Sequence, residues 1–210
     1  STVGAGANTG FFQNVAKTRR QGLELGLQGR AREFRYSANY GYTRSTFETD
    51  LAVSSPHNST NVGGDIQVRP GNKVPGIPEH TAKIRLAYEV EEDISVGTSV
   101  VYSGDQYARG DENNQDANGK VPGYTLVHLD GYYQISPALQ LFFRVQNLFD
   151  KKYETFGILG ANFFSGPNRT FDSAATDEQF RSAGAPRAAW VGIKYAFGAR
   201  RGTAFPQPDD

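Results

Sequence analysis

Few side chains in this chain have chemistry to offer, and their spacing is poor for catalysis. Cysteine is absent from all 210 residues, which removes disulfides, thiolate metal sites and thiol nucleophiles. The three histidines, His57, His80 and His128, lack metal-ligand spacing. No Ser-His-Asp order stands out, and no glycine-rich phosphate loop follows a strand. The 22 acids offer no single carboxylate pair for hydrolysis. The chain is therefore read as carrying no catalytic set, metal or cofactor. One segment echoes a calcium loop. "NQDANG", 114–119, sets Asn114, Asp116 and Asn118 at alternate positions ahead of Gly119. A calcium loop needs a bidentate Glu at its twelfth position, where this chain has Thr125. A polar loop tip accounts for the segment better.

Two groups of residues suit binding instead. Lys17, Arg19 and Arg20 form a local basic run of the kind that contacts phosphate, or that is simply solvated. The segment 155–186 carries Phe156, Ile158, Leu159, Phe163, Phe164, Phe171 and Phe180 among turn residues. Loose apolar residues of this kind need burial. Either they pack over the mouth of a barrel, or they line a cleft in which Arg169 and Arg181 anchor an anionic ligand. Tyr107 and Arg109 are similarly placed.

The elements that position these residues repeat with period two. Seven runs show it: 21–30, 34–45, 80–90, 94–107, 124–135, 138–149 and 187–197. In the third, Ala82, Ile84, Leu86, Tyr88 and Val90 alternate with Lys83, Arg85, Ala87 and Glu89. No stretch makes a persuasive helix, although "DSAATDEQFRSAG", 172–184, is expected to form a short helical turn inside a loop. Connections alternate between short (near 30–33, 90–93 and 136–137) and long (about 51–79, 108–123 and 154–186). Aromatics sit at two levels: Tyr88, Tyr133, Tyr195 and Phe197 near the short turns, Tyr42, Tyr102 and Phe149 towards the long loops.

Formal charge is zero, so no bulk field points to nucleic acid. No stretch approaches 18 apolar residues, and mean hydropathy is −0.54, but such measures are nearly blind to β-barrels. Dyads of about ten residues, one-sided long loops and aromatic girdles together predict a transmembrane antiparallel β-barrel. Its apolar sets would face lipid. Arg85, Glu89, Asp130, Arg144 and Lys194 would face a wet or protein-filled interior. Seven strands are an odd number, and two open edges in lipid are costly, so the chain reads as the C-terminal part of something larger.

Five segments in order then carry a family resemblance: "NVAKTRRQGLELGLQG" (14–29), "KVPGIPEHTAKIRLAYEV" (73–90), "VPGYTLVHLDGYYQIS" (121–136), "VQNLFDKKYETFG" (145–157) and "GAPRAAWVGIKYAF" (184–197). Over roughly 14–197 the chain resembles the C-terminal third of a TonB-dependent outer-membrane receptor. The resemblance implies a 22-stranded, all-β barrel filled by an N-terminal plug, of which these would be the last seven strands. It implies a Gram-negative outer-membrane location and import of a scarce nutrient, such as a ferric siderophore or cobalamin. It also implies energy from the inner-membrane TonB complex, reached through the missing N-terminal part. Tyr195 and Phe197 resemble a terminal signal read by the barrel-assembly machinery. "GARRGTAFPQPDD" following Phe197 departs from that pattern.

On this reading 1–17 is an extracellular loop remnant and 18–197 holds the strands, short periplasmic turns and long extracellular loops. Residues 198–210 form a periplasmic tail. Lys17, Arg19 and Arg20 would meet lipopolysaccharide phosphates, and "NLFD" would shape a strand exit at the outer rim. Asn58-Ser59-Thr60 and Asn168-Arg169-Thr170 match glycosylation acceptors, a reading that fails in this location. A passive porin, expected to carry a charged constriction loop, and an outer-membrane barrel enzyme, expected to carry a catalytic cluster, are the alternatives.

Overall fold

The computed structural model describes residues 17–197. The expected tail over 198–210, and the expected loop remnant apart from Lys17, lie outside them. Strands are β1 Thr18–Ala31, β2 Phe34–Phe47, β3 Leu51–Ser54, β4 Asp65–Val68, β5 His80–Glu91, β6 Ile94–Ser103, β7 Tyr124–Ser136, β8 Leu139–Gln146, β9 Glu154–Ser165, β10 Thr170–Ala183 and β11 Ala188–Tyr195. Seven of them form one antiparallel sheet in the order β1-β2-β5-β6-β7-β8-β11. These seven are the alternating runs.

The remaining four strands lie inside the long connections, as the separate hairpins β3–β4 and β9–β10. Residues 172–184 therefore correct one expectation: most of them belong to β10, not to a helical turn. The helix formers there are overridden by pairing. Thr176 opposes Asn162 and Phe180 opposes Ile158, so both chains satisfy their backbone groups along the hairpin. Strand β8 stops at Gln146 because Asn147 takes φ 49°, outside the strand region.

Register decides the faces. Leu27 opposes Ala38, Ala38 opposes Ile84, Ile84 opposes Val100, and Val100 opposes Val127. Farther along, Tyr133 opposes Leu141 and Leu141 opposes Ile193. Opposed residues in antiparallel pairs share a face, so the apolar sets of all seven strands lie on one side. They are not covered: Leu23, Leu25, Leu27, Ile84, Val191 and Ile193 are each more than half exposed. A continuous apolar surface of this extent is made to meet another apolar phase.

The opposite face is charged and internally paired. Arg85 donates two bonds to the Asp130 carboxylate, at 2.7 and 2.8 Å, and a third to Ser99 Oγ at 3.2 Å. Glu89 lies between Arg30, at 2.5 Å, and Arg35, at 3.1 Å. Lys194 Nζ stands 5.5 Å from the Phe142 ring centroid. Short turns join β1–β2, β5–β6 and β7–β8 at one end of the sheet, and every long connection leaves from the other. The candidate site lies at that other end.

Candidate functional site: three interlocked long loops

The long connections form one body. The β3–β4 hairpin folds over the end of β2, burying Ile66 and Val68 against Phe47 with Leu51, Val53 and Val74 around them. The connection between β6 and β7 runs from this hairpin to β9–β10. It closes on itself through Gln106 and Val121, whose backbones exchange bonds of 3.1 and 2.8 Å. It then pairs with β9: Arg109 N donates to Gly157 O at 2.8 Å, and Leu159 N donates to Arg109 O at 2.9 Å. Ala108, Val121 and Leu159 make a small buried core at this junction. Gly157 is needed there, since a Cβ would lie 2.4 Å from Val121 Cγ2 and 3.2 Å from Ala108 Cβ.

Polar side chains tie the same connection to the β3–β4 hairpin. Asn58 is fully buried; its Nδ2 donates to Gly110 O at 3.0 Å, and its Oδ1 accepts from Thr60 N and Oγ1 at 2.9 and 2.7 Å. Asp111, 1% exposed, accepts through Oδ1 from Gln115 N at 2.8 Å and Asp116 N at 2.9 Å. Its other oxygen, Oδ2, is buried with no hydrogen-bond partner. Burial pushes the Asp111 pKa up, more than the backbone bonds from Asp116 and Gln115 bring it down. Asp116 is the reverse case. Burial disfavours its charge too, but bonds from Ser59 N at 2.8 Å and from Asn118 N at 2.9 Å outweigh that and lower its pKa.

The calcium-like segment is therefore spent on loop ties. Asp116 holds Ser59 and Asn118, while Asn114 Oδ1 accepts from Lys73 N at 2.5 Å. Within this turn Gln115, Ala117 and Asn118 are exposed, while Asp116, 6% exposed, points inward. Among the described residues no group of three or more His, Cys, Asp or Glu converges as a metal site.

Six of the residues read as ligand-binding, Tyr107, Arg109, Phe163, Phe164, Arg169 and Arg181, separate into subsets. Arg109 stands opposite Ile158, and Ile158 opposite Phe180, so these three form one row on a face of the hairpin. Arg109, Ile158 and Phe180 are all exposed, giving a cation beside two apolar side chains. Tyr107 lies two residues before Arg109, with Lys120 Nζ 5.1 Å from its ring centroid. Arg181 opposes Gly157, the neighbour of Ile158, and so projects from the other face of β10. Phe163, Phe164 and Arg169 sit at the hairpin tip. There Phe171 stacks on Phe163 at 6.3 Å and meets Phe164 edge-on at 6.2 Å. Phe164 is six residues beyond Ile158, about 20 Å of strand. The Arg109 row and the tip are thus distinct surfaces.

The basic run is divided as well. Arg19 opposes Thr46 and shares the face of Leu23, Leu25 and Leu27, whereas Arg20 opposes Ser45 on the charged face. Arg19 is paired with Glu48 at 3.1 Å. At the chain's far end, Tyr195 pairs with Leu139 on the apolar face, and Phe197 packs edge-on against it at 4.8 Å.

The histidines have structural partners. His80 Nδ1 lies 2.8 Å from Tyr40 Oη, and His57 Nδ1 lies 2.7 Å from Asp177 Oδ1, linking two loops. His128 Nδ1 accepts from Asn147 N at 3.1 Å. Asn147 itself is the knot of "NLFD", 2% exposed. Its Nδ2 donates to Lys151 O at 2.9 Å and Ala185 O at 3.1 Å, and its Oδ1 accepts from Lys151 N at 2.8 Å. The motif joins the exit of β8 to the entry of β11.

Sequence reasoning missed the centre of the loop junction: Asn58, Asp111 and the buried Asn113, whose Nδ2 donates to Thr60 Oγ1 at 2.8 Å. The available signal was Asn58-Ser59-Thr60, an Asn whose side chain caps the backbone two residues on.

Residues 1–148 match the family model "TonB dependent receptor-like, beta-barrel". The probable TonB-dependent siderophore receptor PiuA of Acinetobacter baumannii is 29% identical over 145 residues, which are 69% of this chain and 18% of that protein. The metal-pseudopaline receptor CntO of Pseudomonas aeruginosa is 27% identical over 152 residues, 70% of this chain and 19% of that one. The crystal structure of the A. baumannii siderophore receptor PiuA superposes with TM-score 0.61 at 22% identity, covering 85% of this chain and 22% of that one. Unliganded ferric citrate transporter FecA gives 0.56 at 21% identity, covering 84% of this chain and 24% of that one. The chain thus spans about a fifth of the length of the relatives it matches.

Proposed function

Because the chain belongs to the TonB-dependent receptor family, we propose that it forms late barrel strands of an outer-membrane receptor importing a scarce nutrient with TonB-supplied energy. The observation that carries this reading is the division of the sheet. One face is apolar and uncovered across seven strands, and the other is charged and internally paired. That division suits lipid outside and a plugged, polar interior. Residues 18–197 would be barrel, with strands from the rest of the receptor, 22 in all, closing against β1 and β11.

The ligand would be a metal chelate or a cofactor of similar size. Relatives are named for siderophores, metal-pseudopaline and vitamin B12. The Arg109–Ile158–Phe180 row offers an anionic, partly apolar chelate a cation beside apolar contact. Tyr195 and Phe197, at the end of β11, would engage the assembly machinery.

The test is uptake by cells whose only copy of the full-length receptor is wild type or Arg109→Glu, using radioiron-loaded siderophores. Accumulation that depends on both the receptor and TonB supports the reading. Uptake that persists without TonB would instead identify a passive porin. Arg109→Glu is expected to weaken ligand binding about tenfold, the scale of one lost charge-assisted bond, with surface expression unchanged.

A further inference from the structure

We propose that Asn118 is a self-modifying site: the backbone nitrogen of Gly119 attacks its carboxamide, and the resulting aspartate or isoaspartate unlocks the junction of the three long loops. The chemistry is independent of transport and of the membrane orientation. Asn118-Gly119 is the single Asn-Gly pair in the chain. Glycine has no Cβ to shield its nitrogen, so the preceding side chain can approach it closely. Gly119 takes φ 68°, and a Cβ built on it would meet nothing within 4 Å. Asn118 itself is exposed. Ring closure and water therefore both have room. The attacking N–H is held by one bond, to Asp116 O at 3.0 Å, which closes a turn and belongs to no strand.

The reaction balances with water alone. The Gly119 nitrogen bonds to Asn118 Cγ, the Cγ–Nδ2 bond breaks, and ammonia leaves with the proton that Gly119 gives up. Water then opens the cyclic imide. Opening at Cγ gives an ordinary aspartyl link. Opening at the main-chain carbonyl gives an isoaspartyl link, with Gly119 joined through Cγ. Nothing is oxidised or reduced. The position of the turn gives the change its effect. Asn118 N and Nδ2 both donate to Asp116 Oδ1 at 2.9 Å, while Asp116 Oδ2 accepts from Ser59 N at 2.8 Å. Ala117 N donates to Ser59 Oγ at 2.7 Å, and Gly119 O accepts from Gln179 Nε2 of β10 at 2.8 Å. One turn thus holds both neighbouring loops. Burial opposes the Asp116 charge, but the bonds from Ser59 and Asn118 outweigh it and keep the carboxyl ionised at neutral pH. A new carboxylate at Asn118 sets a second negative charge where a donor stood. The isoaspartyl link also lengthens the backbone and shifts the Gly119 carbonyl away from Gln179.

The full-length receptor, purified in mild detergent, is incubated at mildly alkaline pH, sampled over days and digested with trypsin at mildly acidic pH. Electron-transfer mass spectrometry of peptide 110–120 locates the conversion of amide to acid and separates aspartate from isoaspartate. Asn113 and Asn114, in the same peptide, are internal controls. Asn118 should convert about tenfold faster than either, into both products, and Gly119→Ala should slow it about tenfold, because the step depends on close approach. Equal rates at the three asparagines, or an unchanged rate in Gly119→Ala, would overturn the site. Amide exchange at Ser59 should run about tenfold faster in the aged receptor and in Asn118→Asp, the scale of one lost charge-assisted bond. Unchanged Ser59 exchange in both would overturn the unlocking.

Discussion

Asp111 and Asp116 stand five residues apart in one loop junction and should respond oppositely to pH. Asp116 has its pKa lowered, so its contribution to the junction is present above the ordinary carboxylate range and is lost as pH falls through the lowered value. Asp111 has its pKa raised, so its contribution is full below the ordinary value and is lost as pH rises through the raised one. Substitution should separate them. Both Asp116 oxygens accept from N–H groups, and Asp116→Asn would turn an amide N–H against one of those donors. We expect it to cost about 1–3 kcal/mol. Asp111 needs only Oδ1, so Asp111→Asn should leave the junction at neutral pH as stable as wild type or more so. Amide hydrogen exchange at Ser59, Gln115 and Asp116 in the full-length receptor reads both effects; equal loss of protection in the two variants would refute the assignment.

Elements carry the next set of expectations. Ile84, in the middle of β5, lies on the uncovered apolar face, while Gln28 lies on the opposite one. Ile84→Lys should destabilise the folded barrel by about 2–4 kcal/mol, the cost of a cation near the bilayer midplane. Gln28→Lys should stay within about 0.5 kcal/mol. Urea unfolding in the presence of lipid distinguishes the two, and similar costs would contradict the facing. In the loops, Gly157→Ala should overpack the Ala108–Val121–Leu159 core by about 1–3 kcal/mol, and the double variant Gly157→Ala/Val121→Ala should recover much of it. A loss not relieved by the second change would place the strain elsewhere.

The elements also show what could be read in advance. The seven sheet strands were legible because one buried or lipid-facing side imposes a strict period of two. Leu23, Leu25 and Leu27 against Glu24, Gly26 and Gln28 leave no other register. Strand β10 was not legible. It is exposed on both sides, so no alternation marks it, and Ala174, Ala175, Glu178 and Gln179 favour a helix locally. Pairing with β9, a tertiary fact, decided it.

At the scale of the molecule, three loops read separately in sequence are one interlocked body. Asn58 reaches Gly110, Arg109 pairs with Ile158, and His57 meets Asp177. Their residues lie up to 120 positions apart, as for His57 and Asp177, and nothing in local pattern announces such contacts. The same limit explains why Arg181, read as an anion anchor, and Arg109, read as similarly placed, lie on opposite faces. Loop composition identified the residue types, while facing depended on a parallel bridge visible only after folding.

The central claim is that the apolar face meets lipid and the charged face the barrel interior. It is tested most directly by single cysteines along 82–89 of the full-length receptor, spin-labelled in bilayers and probed with oxygen and a water-soluble nickel chelate. Labels at 82, 84, 86 and 88 should be accessible to oxygen and shielded from nickel. Those at 83, 85, 87 and 89 should show low oxygen access, giving a strict period of two. A flat profile, or the opposite phase, would contradict the account.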